Sequence, residues 1–197
     1  MIKKKLFLSG VGGMLGKAFY EIFSEDYILK CTDIDLNEKW LEFLDFREAD
    51  KYKIIVEKFR PDYLFHIGAF TDLEYCEKNE IETYRTNTES VKTAVAISNE
   101  LKIPLLYIST AGIFDGLKKT YDENDIPKPM GIYAISKYRA EEFVVKNSNK
   151  YLICRAGWMM GGGPQKDKKF INKIMKQIKE GKKELFIVDD KFGTPTY

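Results

Sequence analysis

The sequence predicts an α/β fold in which helices cover both faces of a doubly wound parallel sheet. Short apolar segments alternate with segments of helical periodicity, the first apolar segment ends in a glycine-rich loop, and polar residues follow other apolar segments. Short apolar strands that alternate with helices are typical of parallel sheets. Polar residues at the strand ends indicate a ligand site, because the carboxyl ends of such strands meet at one edge of the sheet.

The first half of the chain is predicted to contain three strands and two helices. Each strand is a short apolar run, and each helix has apolar residues three or four positions apart. The second helix ends before Pro61, because proline disfavours helical geometry in the residue that precedes it. In chain order, the elements are a strand at 5–8, a helix at 14–23, a strand at 27–32, a helix at 52–59 and a strand at 63–67.

The second half continues the same alternation. Apolar residues from Val91 to Leu101 share one face of a long helix, and Pro104 precedes the fourth predicted strand. We interpret residues 1–157 as one α/β domain and residues 158–197 as the start of a second, incomplete lobe. In chain order, the elements are a strand at 105–108, a helix at 132–146, a strand at 151–154, a helix at 170–179 and a strand at 185–188.

Composition excludes several classes of protein. The chain has 197 residues, 44% of them hydrophobic, which is enough for a sizeable core. Its 32 basic and 30 acidic side chains leave a net charge of +2 without a basic stripe, so we expect no nucleic-acid partner. No apolar run approaches membrane-spanning length, and glycines interrupt the apolar segment near the N-terminus. We therefore expect a cytoplasmic protein without a signal peptide or membrane contact.

Metal binding and histidine-dependent catalysis are not expected either. His66 is the only histidine, which excludes histidine triads and multi-histidine metal sites. Cys31, Cys76 and Cys154 are far apart and form no CxxC pair, so we expect them to be buried free thiols.

The glycine-rich loop lies where the first strand meets the first helix, which is where a doubly wound fold binds a dinucleotide pyrophosphate. Its spacing is GxxGxxG, because Leu15 occupies the last glycine position of GxGxxG. Glycines allow a tight turn and a close approach to phosphate, and the helix N-terminus favours the anion. A plain glycine-rich turn is the alternative. The predicted cofactor-binding residues are Gly10, Gly12, Gly13, Met14, Leu15 and Gly16.

An acidic residue follows the second predicted strand. Asp33 lies roughly 20 residues after Gly10, the separation expected for an acid that accepts hydrogen bonds from the adenosine ribose. A carboxylate there would repel a 2′-phosphate, so we expect NAD or NADP as cofactor, with NAD slightly favoured. Asp35 competes for this role, and a strand-end turn is the alternative reading of Asp33.

Three polar residues in the second half form a candidate catalytic group. Tyr133 and Lys137 lie four residues apart on one predicted helix, and Thr110 closes the fourth predicted strand at the sheet edge. A lysine cation near a tyrosine would lower the pKa of the phenol and make it a usable acid. The alternatives are a helix-capping Thr110 and an exposed tyrosine–lysine pair.

Further motifs accompany these residues in a characteristic order. They are Arg-Pro-Asp at 60–62, Gly-Ala-Phe-Thr at 68–71, Asn87, Ile-Ser-Thr at 108–110, Phe-Asp-Gly at 114–116, Tyr-Ala-Ile-Ser-Lys at 133–137 and the segment 188–196. With GxxGxxG, they resemble the extended short-chain dehydrogenase/reductases, and most closely the dTDP-4-dehydrorhamnose reductase group. The resemblance covers nearly the whole chain and implies an NAD(P)-binding Rossmann fold.

This resemblance implies a role for each motif. Thr110 would hydrogen-bond the substrate oxygen, Tyr133 would protonate it, and Lys137 would hold the nicotinamide ribose and tune Tyr133, while hydride would come from the nicotinamide. The expected activity is reduction of a nucleotide-linked 4-keto sugar. Further cofactor-binding residues would be Asp45, Phe46, Gly68, Ala69 and Phe70, and substrate-binding residues would be Thr71 and Trp158.

The chain departs from the family pattern after Thr110. Ala111 and Gly112 replace the Asp-Tyr pair that is usual in rhamnose-type reductases, so the resemblance does not predict which sugar is the substrate. These two residues also cannot supply the acidic pair that dehydratases need. The alternative functions are an NAD-dependent sugar-nucleotide epimerase and a non-catalytic regulatory subunit. For the oligomeric state, a homodimer is the one that we consider. The chain ends at Tyr197, before the helices that complete the family's substrate lobe, so we expect that lobe to be incomplete.

Overall fold

The computed structural model describes residues 3–163, 165–167, 170–185, 187 and 193–196. Its main feature is a six-stranded sheet in which every neighbouring pair is parallel, in the order β3-β2-β1-β4-β5-β6. This order reverses between β1 and β4 and places the carboxyl ends of both strands side by side, as expected of a doubly wound fold. The strands are β1 (Lys5–Ser9), β2 (Ile28–Asp33), β3 (Leu41–Phe43), β4 (Tyr63–His66), β5 (Leu105–Thr110) and β6 (Tyr151–Ala156).

Helices connect the strands and cover the sheet. A π-helical turn at Arg85–Glu89 precedes α5, and a short 3₁₀ turn at Ala111–Ile113 follows β5. Two further strands, β7 (Trp158–Met159) and β8 (Pro195–Thr196), form a separate parallel pair. The helices are α1 (Gly16–Ser24), α2 (Ala49–Phe59), α3 (Leu73–Lys78), α4 (Glu80–Tyr84), α5 (Ser90–Leu101), α6 (Gly131–Asn147) and α7 (Phe170–Lys179).

The predicted fold class is confirmed, with several local corrections. Sequence analysis missed β3, which has three residues, two of them exposed, and it missed the helical turns between Leu73 and Glu89. The strand that ends at Thr110 is consequently the fifth and not the fourth. The strand predicted at 185–188 is wrong at Leu185 and Ile187, which are not in a strand, and its other two residues lie outside the described residues.

The core lies on both faces of the sheet because successive side chains of a strand point to opposite sides. On β1, Phe7 packs with buried residues of α2, α5 and α6, whereas Leu6 and Leu8 pack against the α1 face with Phe19 and Phe23. Both sides of the strand are therefore desolvated. This explains why its sequence is a continuous apolar run.

Other expectations concern the cysteines, helix α7 and membrane-spanning segments. Cys31 and Cys76 are buried free thiols, but Cys154 is only half-buried, which corrects the expectation for that residue.

Helix α7 has no buried residue among those described and exposes the apolar side chains of Phe170 and Met175. Within the described residues, no helix is long and apolar enough to cross a bilayer. The domain boundary after residue 157 stays a prediction.

A buried polar cluster joins the centre of the sheet to its helices. Ser9 Oγ and Tyr52 Oη lie 3.1 and 3.2 Å from His66 Nδ1, and Ser90 Oγ lies 3.1 Å from Nε2. His66 is fully buried, and burial lowers its pKa to about 3. The folded protein therefore keeps this ring neutral at pH values where the unfolded chain protonates it.

This pKa predicts an acid-sensitive contribution to stability. Below its unfolded pKa of 6.5, His66 takes up a proton in the unfolded chain but not in the folded protein, so stability falls as the pH falls. We expect the free energy of unfolding to decrease by roughly 2 kcal/mol between pH 7 and pH 5 from this residue alone. Urea unfolding of wild type and His66→Gln at both pH values measures it. Equal pH dependence in the two proteins would contradict the assignment.

Candidate active site

The glycine loop joins β1 to α1, and its glycines meet different constraints. Gly10 has φ +76°, and a Cβ there would lie 2.1 Å from Gly68 Cα, so the loops after β1 and β4 touch backbone to backbone. At Gly16, a Cβ would lie 1.6 Å from the Val11 carbonyl oxygen, which brings α1 directly onto the loop. A Cβ at Gly13 would meet nothing within 4 Å. Gly13 is therefore the position at which a ligand can approach the backbone.

The same loop provides hydrogen-bond donors for an anion. Among the described residues, the N–H groups of Gly13, Met14 and Leu15 have no hydrogen-bond partner, whereas the Gly10 and Val11 N–H groups donate to Thr32 O. Unpaired N–H groups at the start of a helix bind phosphate, and the helix dipole favours the negative charge. The loop therefore fits a dinucleotide pyrophosphate.

Asp33 lies at the end of β2 beside this loop. Its Oδ2 accepts a hydrogen bond of 2.7 Å from the Gly12 N–H, and Oδ1 accepts one of 2.9 Å from the Asp35 N–H. A Cβ at Gly12 would lie 2.7 Å from Asp33 Cγ, so a side chain at position 12 would displace the carboxylate. The carboxylate is thus held in place next to the phosphate-binding backbone.

Phe46 and Asp45 follow β3 but occupy different environments. The Phe46 ring packs against both the glycine loop and the loop after β4, since a Cβ at Gly10 would lie 3.2 Å, and a Cβ at Gly68 2.4 Å, from its Cε1 atom. Asp45 instead accepts hydrogen bonds from Arg47 on both carboxylate oxygens, at 2.8 and 2.6 Å, and this guanidinium lowers the pKa of Asp45. The structure therefore brings Phe46 to the loop and leaves Asp45 engaged in an ion pair.

Asn87 connects the loop after β4 to helix α6. Its Oδ1 accepts from the Phe70 N–H at 2.8 Å, while its Nδ2 donates to Phe70 O at 3.0 Å and to Ser136 Oγ at 3.1 Å. The Ser136 hydroxyl in turn donates to Tyr133 O at 2.7 Å. Sequence analysis noted Asn87 as part of a motif but did not assign it a role. No sequence pattern predicted the π-helical turn on which Asn87 lies.

Thr110, Tyr133 and Lys137 lie near the carboxyl end of β5. Thr110 is buried, and its Oγ1 accepts from the Gly112 N–H at 3.1 Å. Ser109 points to the opposite face of the sheet, and its hydroxyl has no partner among the described residues. Lys137 is 2% exposed and lies 4.4 Å from the centre of the Tyr107 ring.

The ammonium of Lys137 is held without a carboxylate contact. Within the described part of the chain, no hydrogen-bond acceptor contacts it, and burial lowers its pKa to about 7, an effect that Glu141 partly offsets. A ligand hydroxyl that accepts from the Lys137 ammonium would therefore stabilise its charged form. The site therefore also fits a ribose at this end.

The expected lowering of the Tyr133 pKa by Lys137 is not seen. Burial raises the pKa of Tyr133 above its ordinary value of 10.0, and interaction with Thr110 offsets part of this increase. Desolvation disfavours the phenolate more than nearby groups favour it. Tyr133 is therefore fully protonated at neutral pH, which is the form that a proton donor needs.

The remaining predicted residues lie farther along the chain. Ala69 follows Gly68 in the half-buried loop after β4, and Thr71 is exposed just before α3. Trp158 is 46% exposed in β7, where its ring covers Gly193 so closely that a Cβ there would lie 2.2 Å from Cε2. No group of three acidic, histidine or cysteine side chains arranged for a metal is present in the described ranges.

Comparison with known proteins finds relatives that are named dTDP-4-dehydrorhamnose reductases. A dTDP-4-dehydrorhamnose reductase from Aggregatibacter actinomycetemcomitans is 27% identical over 194 residues, which cover 98% of this chain and 63% of that protein. A structure of the reductase from Bacillus anthracis str. Ames in complex with NADP has a TM-score of 0.81 and 29% identity, covering 94% of this chain and 63% of that one. For the reductase from Yersinia enterocolitica, the TM-score is 0.79 at 34% identity, with 91% and 61% covered.

This chain therefore spans somewhat less than two thirds of each of these relatives. The family model described as the RmlD substrate binding domain matches residues 4–197, which include every element of the candidate site. The match agrees with the resemblance seen in the motifs, and the chain belongs to the RmlD substrate binding domain family.

Proposed function

We propose that this chain carries the cofactor-binding and catalytic part of an NAD(P)-dependent reductase that acts on a nucleotide-linked 4-keto sugar. The observation that carries the proposal is the continuous set of contacts from the glycine loop to the catalytic helix. Gly10 touches Gly68, and two residues later the Phe70 backbone is bonded to Asn87, which also holds Ser136 on α6. A dinucleotide on the loop would thus extend toward Tyr133 along a path fixed by the fold.

The chemistry follows from the groups at the sheet edge. Bound NAD(P)H supplies the hydride that forms the new C–H bond at the ketone carbon. Tyr133 transfers its phenolic proton to the ketone oxygen, giving a secondary alcohol, and Thr110 donates a hydrogen bond to the same oxygen. The charge of Lys137 stabilises the phenolate that remains until solvent returns the proton. Proton transfer needs the protonated form of Tyr133, which burial favours.

The segment after Thr110 supports reduction without dehydration. Ala111 and Gly112 are exposed in the 3₁₀ turn and carry no acid or base. Elimination of water from the sugar needs such a group next to the reacting carbon. The cytoplasmic location, the homodimer and the substrate contacts of Thr71 and Trp158 remain predictions that accompany this proposal.

The first prediction concerns the proton donor. Tyr133→Phe should lower NAD(P)H oxidation by a panel of nucleotide-linked 4-keto sugars by roughly 10²- to 10⁴-fold, because the general acid is removed. Dinucleotide affinity, followed by fluorescence titration, should stay nearly unchanged. Tyr138→Phe, on the same helix, is the matched control and should keep wild-type turnover.

Other outcomes of this assay would indicate a different role for Tyr133 or a different function for the chain. Wild-type turnover in Tyr133→Phe would contradict the proton-donor role. Tightly retained dinucleotide without net oxidation of added NAD(P)H would favour an epimerase, and binding without turnover on any sugar would favour a regulatory subunit.

The second prediction concerns the choice of cofactor. We infer that Asp33 favours NADH, because its carboxylate lies beside the Gly12 backbone, where a 2′-phosphate would meet its negative charge. Asp33→Asn keeps an oxygen that can accept from the Gly12 N–H and removes the charge. The ratio of the NADPH to NADH dissociation constants should fall about tenfold, equivalent to about 1.4 kcal/mol. An unchanged ratio would contradict the role of Asp33.

The third prediction is that Lys137 destabilises the fold. The pKa of this group is about 7 in the folded protein and 10.5 in the unfolded chain, so the unfolded chain binds more protons between these values. Its cost is complete below pH 7 and disappears as the pH rises toward 10.5. Lys137→Met should therefore raise the free energy of unfolding at pH 6, by up to about 5 kcal/mol, with a smaller gain at pH 9. Urea unfolding at both pH values measures this, and a loss of stability at pH 6 would contradict it.

A further inference from the structure

The segment after β7 returns to the glycine loop and packs against it. Gly162 has φ +73°, and a Cβ there would lie 3.0 Å from Met14 Cα and 3.2 Å from Met14 O. The N–H groups of Lys166 and Asp167 donate to Gly163 O, at 3.2 and 2.9 Å, which closes a turn. This turn therefore lies directly on the loop whose N–H groups are free for phosphate.

One ion pair fastens this turn. Lys166 Nζ lies 2.9 Å from Glu38 Oε1, and the two residues are 128 positions apart in the sequence. The Lys166 side chain is only 10% exposed, and this ammonium lowers the pKa of Glu38. Next to Glu38, Asn37 donates from Nδ2 to Gly12 O at 3.0 Å. The segments that carry the two partners thus both contact the glycine loop, through Gly162 and Asn37.

We propose that the Lys166–Glu38 pair is a latch that holds this turn against the glycine loop and slows the release of the bound dinucleotide. The proposal rests on the proposed function, since it requires dinucleotide on the loop. A dinucleotide whose pyrophosphate contacts the loop at Gly13 to Leu15 would lie beside the Met14–Gly162 contact. Its release would require this contact to open, and opening would break the ion pair.

A latch makes a distinctive kinetic prediction. Either Lys166→Met or Glu38→Gln breaks the same pair, so each should raise the NADH dissociation rate about fivefold, the effect expected of an ion pair whose side chains are 10% and 33% exposed. The double variant should show the same increase and not the product of the two, because the partners act together. Stopped-flow fluorescence of the chain with NADH gives the rates. Lys176→Met, which breaks the exposed Lys176–Glu180 pair on α7, is the matched control and should match wild type.

The alternatives give different patterns. If Lys166 bound the phosphate directly, Lys166→Met would weaken binding strongly while Glu38→Gln would not, and that outcome would overturn the latch. Unchanged dissociation rates in all variants, with NADH still bound, would overturn the latch and leave the proposed function intact. Failure of the wild-type chain to bind either NADH or NADPH would overturn both. Dissociation rates that rise equally in the single and double variants support the latch.

Discussion

The Asn87 amide joins two parts of the site that no strand or helix connects directly. It is buried, and its three hydrogen bonds hold the Phe70 backbone on one side and the Ser136 hydroxyl on the other. The loop after β4 touches the glycine loop, and Ser136 lies one turn from Tyr133 on α6. Asn87 therefore helps to fix the distance between the glycine loop and Tyr133, together with the hydrogen bond of 2.8 Å that Thr88 Oγ1 donates to Ser136 O, and its buried polar atoms leave it little freedom to move.

The site combines features that favour chemistry with features that cost stability. Burial keeps Tyr133 protonated and lowers the pKa of Lys137 to about 7, so the fold contains an ammonium that it solvates poorly. A bound ribose would supply the hydrogen-bond acceptor that the Lys137 ammonium lacks. Cofactor binding should thus stabilise the protein as well as complete the site.

Much of this arrangement follows from local sequence patterns, whereas other parts depend on tertiary contacts. The spacing of Gly10, Gly13 and Gly16 predicted the strand–loop–helix arrangement at the glycine loop, and the helix that carries Tyr133 and Lys137 was also predicted. The π-helical turn that presents Asn87 was not predictable, because its hydrogen-bonding pattern depends on packing against α6. The raised pKa of Tyr133 was missed for a similar reason, since desolvation depends on neighbours that are distant in the sequence. The Lys166–Glu38 pair likewise joins segments that only the fold brings together.

We infer that this site transfers hydride from a nicotinamide to a ketone carbon of a nucleotide-linked sugar. Mass spectrometry of the sugar product formed with NADH or NADPH deuterated at C4 of the nicotinamide tests it most directly. With one of the two C4-labelled diastereomers, we expect the product to carry deuterium at the former ketone carbon. A product without deuterium from either diastereomer, or no product from any 4-keto sugar nucleotide tested, would contradict it.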